Sequence, residues 1–182
     1  MFSVEKIETE RLVLRELEMN DLEDYFEWKR QEEYYNFLPS KPMTKEECLS
    51  SLSEIIEKYE QEKEQKLIWG IALKGSNKLI GSLHLGKISS THKCCEIGWG
   101  LNPKFQKQGY AIEAAKSFVD YIFNKFGMHK IGVLVWEGNL ASQTLVKKLG
   151  FCEEGRERQA RFKNGKYIDV LHFGLLEDEW QG

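Results

Sequence analysis

The segment Lys104–Ala115, KFQKQGYAIEAA, feeds a polar, basic turn straight into the start of a helix with a small-residue face. A helix start exposes about four unpaired backbone N–H groups and a partial positive charge. Gly109 lets the backbone come close to a ligand, and Gln106, Lys107 and Gln108 add donors and one cation. Together these favour an anion, phosphate above all. The plainer alternative is a helix N-terminus with no ligand. The spacing is Gln-x-x-Gly-x-Ala, at Gln106, Gly109 and Ala111. Walker A is absent, and only one of the three glycines of the dinucleotide fingerprint is present.

The elements that must hold this turn follow from periodicity. Leu12 and Leu14 alternate within Glu10–Leu17, which predicts a first strand. Asn20 is expected to cap a helix over Asp21–Arg30. Thr44-Lys-Glu-Glu47 is a capping box, opening a helix to about Gln65 with Leu49, Leu52, Ile55, Ile56 and Tyr59 on one face and glutamates on the other. Leu67–Leu73 and Lys78–Leu85 read as strands joined by Lys74-Gly-Ser-Asn77, and Glu96–Leu101 as a third, ended by Asn102-Pro103. The helix after the turn steps through Ala111, Ala115, Phe118, Ile122 and Phe126. Lys130–Val135 is a strand, and Leu140–Leu149 a helix between Asn139 and Gly150. Phe151–Phe162 and Lys166–Leu175 form a hairpin around Asn164-Gly165. The predicted order, β-α-α-β-β-β-α-β-α-β-β, is α+β, a mixed α/β arrangement of seven strands and four helices.

The chain of 182 residues fits one domain over 1–182, and 41% hydrophobic residues suffice for a core. A net charge of −3 gives no bulk argument for nucleic acid. MFSVEKIETERL does not read as a signal peptide, and no window approaches the roughly 18 apolar residues of a membrane span. Cys48, Cys94, Cys95 and Cys152 match no zinc spacing and suit a reducing compartment. The expectation is a soluble cytoplasmic protein, monomer or homodimer, without metal and without direct nucleic-acid or membrane binding.

At the Gln-x-x-Gly-x-Ala turn the sequence resembles the GNAT superfamily of N-acetyltransferases, where Gln/Arg-x-x-Gly-x-Gly/Ala is the acetyl-CoA pyrophosphate loop. Glu96-Ile-Gly-Trp-Gly-Leu-Asn-Pro103 is similar to the family's fourth strand, and Gly109-Tyr-Ala-Ile-Glu-Ala-Ala115 to its following helix. Asn139-Leu-Ala-Ser142 and Lys148-Leu-Gly-Phe-Cys-Glu-Glu-Gly155 resemble the later CoA-side helix and strand. Thr9-Glu-Arg-Leu-Val-Leu-Arg15 and Gly174-Leu-Leu-Glu-Asp-Glu-Trp180 resemble the branch that acetylates ribosomal-protein N-termini, the Rim type. The similarity covers nearly the whole chain, with the motifs in order.

The resemblance implies a mostly antiparallel seven-stranded sheet with one parallel pair, Glu96–Leu101 and Lys130–Val135, that splays apart. Acetyl-CoA would be the co-substrate, its pantetheine beside Trp99, Gly100 and Leu101. Its pyrophosphate would lie on Gln106, Lys107, Gln108, Gly109, Tyr110 and Ala111. The reaction would be direct attack of a primary amine on the thioester. Glu96 would act as base, directly or through water; its plain reading is a solvated strand-end glutamate. Many relatives carry a tyrosine acid in the helix after the asparagine, and Val146 stands there. Ser142 would then contact the CoA sulfur, and Asn139 would bond the pantetheine or order the helix start; ordinary capping is the alternative for both. Deprotonating a lysine amine at pH 7 costs about 4–5 kcal/mol and an α-amine only about 1–1.4. This leans toward a protein N-terminal α-amine as acceptor. Polyamines, aminoglycosides or amino acids are the alternative acceptors, and a non-catalytic acyl-CoA-binding module is the third reading.

Other residues read as structural. His84 and His172 are expected to be packed or bonded, and Trp69, Trp99 and Trp136 to be core aromatics, with lining of the acceptor site as the alternative. The glutamates of Thr44–Gln65 form a solvated face or attract a cationic amine. Arg156, Arg158, Arg161 and Lys163 form a basic cluster that is surface, or meets an acidic partner or the CoA 3′-phosphate.

Overall fold

The computed structural model describes residues 3–59 and 66–182. Eight strands form one sheet in the order β1-β2-β3-β4-β5-β6-β8-β7. They are β1 (Ile7–Glu8), β2 (Leu12–Arg15), β3 (Leu67–Leu73), β4 (Leu79–Ser89), β5 (Cys94–Leu101), β6 (Lys130–Trp136), β7 (Cys152–Lys163) and β8 (Lys166–Leu176). The helices are α1 (Leu22–Lys29), α2 (Lys45–Tyr59), α3 (Tyr110–Phe126) and α4 (Leu140–Lys148). Every pairing is antiparallel except β5 with β6. Among the described residues no helix is long and apolar enough to cross a membrane.

The eighth strand comes from the N-terminus. The Thr9 hydroxyl accepts from the Leu12 amide at 2.9 Å, turning the chain so that Ile7–Glu8 pairs back on Val13–Leu14. The expected first strand, Glu10–Leu17, is accordingly only Leu12–Arg15. Asn20 is not the cap expected of it. Asp21 instead accepts from the Glu18 amide at 2.8 Å and takes both guanidinium nitrogens of Arg15 at 2.8 Å, ending a 3-10 turn, Met19–Asp21, that leads into α1. The Thr44–Glu47 capping box forms as expected, with bonds of 2.7 and 3.2 Å. The predicted end of that helix, beyond Tyr59, lies outside the described residues.

Both faces of the sheet are covered, so β3 reads as an almost unbroken apolar run rather than an alternating one. On one face α3 contributes Ala114, Ala115, Phe118, Val119 and Ile122 to a core with Trp69, Leu83, Leu85 and Ile97, joined by Leu145 and Val146 of α4. On the other, Tyr25 and Trp28 of α1 and Cys48 and Leu52 of α2 close a smaller core over Leu17 and Leu79. Leu52 is fully buried, and deleting such a side chain to alanine costs about 2–5 kcal/mol.

Candidate active site

Strands β5 and β6 pair only at Cys94–Glu96 with Lys130–Gly132. Beyond Glu96 the two diverge, with β6 staying on β8 to Trp136 and β5 on β4 to Leu101. The predicted splay is present, and it begins at Glu96.

The turn that follows β5 is braced from within. The side-chain N–H of Gln106 donates to the Leu101 carbonyl at 3.2 Å, and that of Gln108 to the Lys104 carbonyl at 3.0 Å. Those donors were expected to face a ligand and instead hold the turn's shape. Lys107 and Gly109 both adopt left-handed backbone, φ 60° and 85°. Alternation into that region points successive amides to one side as an anion-binding nest. Among the described residues the N–H groups from Lys107 to Ala111 have no partner.

Arg11 fixes this turn on the sheet, a role that sequence reading missed. Its guanidinium donates to the Gln108 carbonyl at 3.0 Å and to Glu113 at 2.7 Å, and stacks over the Tyr110 ring at 4.5 Å. Glu113 also accepts from the Arg11 amide at 2.8 Å and the Thr9 hydroxyl at 2.6 Å. Burial alone raises the Glu113 carboxyl, but these donors outweigh it and hold it below its ordinary value. A Cβ at Gly109 would stand 3.1 Å from the Arg11 guanidinium, on backbone that side chains rarely adopt. The signal was a charge pair 102 residues apart, which no local pattern reveals.

Asn139 caps α4, its side-chain oxygen accepting from the Ser142 amide at 3.2 Å. This is the helix-ordering role of the two weighed. The Ser142 hydroxyl accepts from the Trp99 indole at 3.3 Å, so α4 is tied to the splayed part of β5. Val146 is fully buried in the core and presents nothing to the splay.

Glu96 and Ser142 do not meet on one face. In the β4–β5 register Gly86, His84 and Ser82 oppose Glu96, Gly98 and Gly100. Glu96, Gly98 and Gly100 therefore share the α1–α2 face, while Ile97, Trp99 and Leu101 face α3 and α4. Glu96 is half-buried and paired with exposed Lys87 at 2.8 Å. Gly100 lies beneath the Tyr34 hydroxyl, so close that a Cβ there would stand 2.2 Å from the oxygen. Lys29 donates to that hydroxyl at 3.3 Å, and burial pushes the phenol up to about 12. His84 is bonded to Ser82 at 3.0 Å, as expected of a structural histidine. Trp69 is core, its indole donating to the Glu5 carbonyl at 2.9 Å. In the basic cluster, Arg156 is neutralised by Glu137 and Asp169, and Lys163 holds the Tyr35 and Leu38 carbonyls.

The fold and this splayed, amide-rich site define an acyltransferase, and comparison with known proteins agrees. Residues 11–152 match the family described as acetyltransferase (GNAT) domain. The uncharacterized N-acetyltransferase YoaA of Bacillus subtilis is 30% identical over 171 residues, covering 94% of this chain and 96% of its own. The ribosomal-protein-S5-alanine acetyltransferase of Vibrio fischeri superposes with a TM-score of 0.82 at 19% identity, covering 98% of this chain and all of that one. The spermidine N-acetyltransferase of Vibrio cholerae, solved with CoA and spermine, does so with 0.82 at 24%, covering 96% and 100%. The chain belongs to the GNAT acetyltransferase family and is an N-acetyltransferase.

Proposed function

We propose that this protein moves the acetyl group of acetyl-CoA to a primary amine, a protein N-terminal α-amine of the Rim type. The observation that carries the reading is the row of unpartnered amides from Lys107 to Ala111 at the mouth of the β5–β6 splay. Those amides and the N-terminal end of α3 would hold a pyrophosphate, with the absent side chain of Gly109 leaving the room. The splayed edge of β5 at Trp99–Leu101 leaves backbone groups for an extended pantetheine, which brings the acetyl group as an activated thioester.

The chain's own residues then divide the proton work. Glu96, on the α1–α2 face, takes the proton from the attacking amine, directly or through water. Backbone N–H groups at Gly98–Leu101 would receive the developing oxyanion. Two hydroxyls stand in for the tyrosine that Val146 replaces. Ser142 reaches the splay from α4, and Tyr34 reaches Gly100 from the opposite face. Tyr34 accepts its bond from Lys29 and stays protonated, so its own O–H is free to donate.

The ribosomal-protein and spermidine enzymes share the fold equally well, so likeness alone does not choose the acceptor. The lower cost of deprotonating an α-amine favours the peptide terminus. The test is release of CoA, followed with a thiol-reactive dye, from acetyl-CoA with N-terminal peptides, polyamines and aminoglycosides. Turnover of peptides is expected. Turnover confined to polyamines or aminoglycosides would replace the peptide acceptor, and acetyl-CoA binding without any turnover would favour a binding module.

A further inference from the structure

On the α1–α2 face lies a cavity of about 280 Å³, lined, among the described residues, by Lys29, Lys58 and Lys66 against one carboxylate, Glu54. Of the glutamates read as a solvated face or as a draw for a cationic amine, the described Glu46, Glu47 and Glu57 are not in the lining, and Glu60, Glu62 and Glu64 lie outside the described residues. Among the described residues none of the three ammonium groups has a carboxylate partner. Lys29 rests instead on the rings of Tyr25 and Tyr34, at 5.1 and 4.7 Å. Among the described residues, the remaining polar groups of the lining do not offset this charge. His84 is bonded to Ser82, and burial, followed by the fields of Lys66 and Lys29, pushes its imidazole down to about 3, so it stays neutral. Burial likewise lowers Lys66, with Lys58 and Lys29 adding repulsion, although part of its side chain is exposed.

The cavity adjoins the strand of transfer. His84 and Ser82 line it and stand opposite Gly98 and Gly100 on β5. Lys29 also bonds the Tyr34 hydroxyl that covers Gly100. An ammonium group therefore waits one side chain away from the backbone assigned to the thioester. Uncompensated cations in a partly enclosed site attract an anion and repel a polyamine.

We propose that this cavity binds a carboxylate of the acceptor, which is thus an amine carrying a carboxylate a few bonds from its nitrogen. The source is either a peptide with an acidic residue beside its N-terminus or a free amino acid. The proposal deepens the acetyl-transfer reading and rests on it.

The test compares CoA release for two matched pairs, a peptide beginning Ala-Glu against one beginning Ala-Gln, and alanine against alaninamide, with spermidine alongside. In one pair the carboxylate member should be preferred roughly tenfold in kcat/KM, as a charge-assisted bond implies. The pair that shows the preference identifies the source. Lys29→Gln and Lys66→Gln should each bring the ratio toward one while acetyl-CoA affinity, titrated separately, is kept; exposed Lys66 guards against a folding defect. Equal or better turnover of the neutral members or spermidine overturns the proposal, as does a preference that survives both variants. No turnover of any carboxylate acceptor by protein that binds acetyl-CoA overturns the proposal alone. Failure to bind acetyl-CoA overturns the acetyl-transfer reading as well.

Discussion

The two faces of β5 are assembled by different means. Toward α3 and α4, the ligand-ready groups are backbone amides of one short turn, and the side chains Gln106 and Gln108 only brace it. Toward α1 and α2, the ready groups are side chains: Glu96 from β5, Lys29 from α1 and Tyr34 from the segment after it. A backbone site tolerates change in its side chains but not in its conformation. A side-chain site keeps its shape and changes its preference when one charge is removed. The contrast suits a constant co-substrate on one side and a selected acceptor on the other.

The largest effect should come from Gly109→Asp, which puts bulk and negative charge into the amide row. Acetyl-CoA affinity is expected to fall at least about 100-fold, read by calorimetry, because the carboxylate competes for the nest. Glu96→Gln, on the other face, should leave that affinity unchanged and lower kcat by about 100-fold, the scale of a lost general base. Equal losses in binding and rate would erase the division between faces. Tyr34→Phe is expected to lower kcat by about tenfold, since Ser142 remains as a second donor. Ser142→Ala, which removes the second donor along with the acceptor for Trp99, should change the rate by about fivefold or less. A larger loss for Ser142→Ala than for Tyr34→Phe would make Ser142 the principal donor.

The smallest effect concerns the brace behind the amide row. Glu113 is held below its ordinary pKa, so its carboxylate stabilises the fold at pH above the unfolded value, and the contribution is lost as pH falls through the folded one. Thermal unfolding of Glu113→Gln should therefore be less sensitive to acid than that of the unaltered protein. Parallel acid limbs would remove Glu113 from the account.

The two faces were also unequally legible. Gln106, Gly109 and Ala111 lie within six residues, and the Asn139 cap beside Ser142 is equally local, so both could be read from spacing. The strands and helices followed from their periodicity, apart from the Thr9 turn that adds β1 and the Arg15–Asp21 pair that displaces the Asn20 cap. The α1–α2 face was read incompletely. Its charge depends on which side of α2 faces the sheet and on Lys29, Lys58 and Lys66 meeting from three segments. The Arg11–Glu113 brace spans the sheet in the same way. Contacts between distant segments leave no periodic trace, and the glutamates of Thr44–Gln65 read as a solvated face or as a draw for a cationic amine, neither of which points to the lysines.

The central claim is that acetyl-CoA is held by the backbone amides of the turn after β5, independently of the lysine-lined face. Calorimetric titration of acetyl-CoA into the unaltered protein, Gly109→Asp and Lys29→Gln tests it most directly. Equal binding to the unaltered protein and Lys29→Gln, with binding to Gly109→Asp lost, is the predicted result. Unimpaired binding to Gly109→Asp would contradict it.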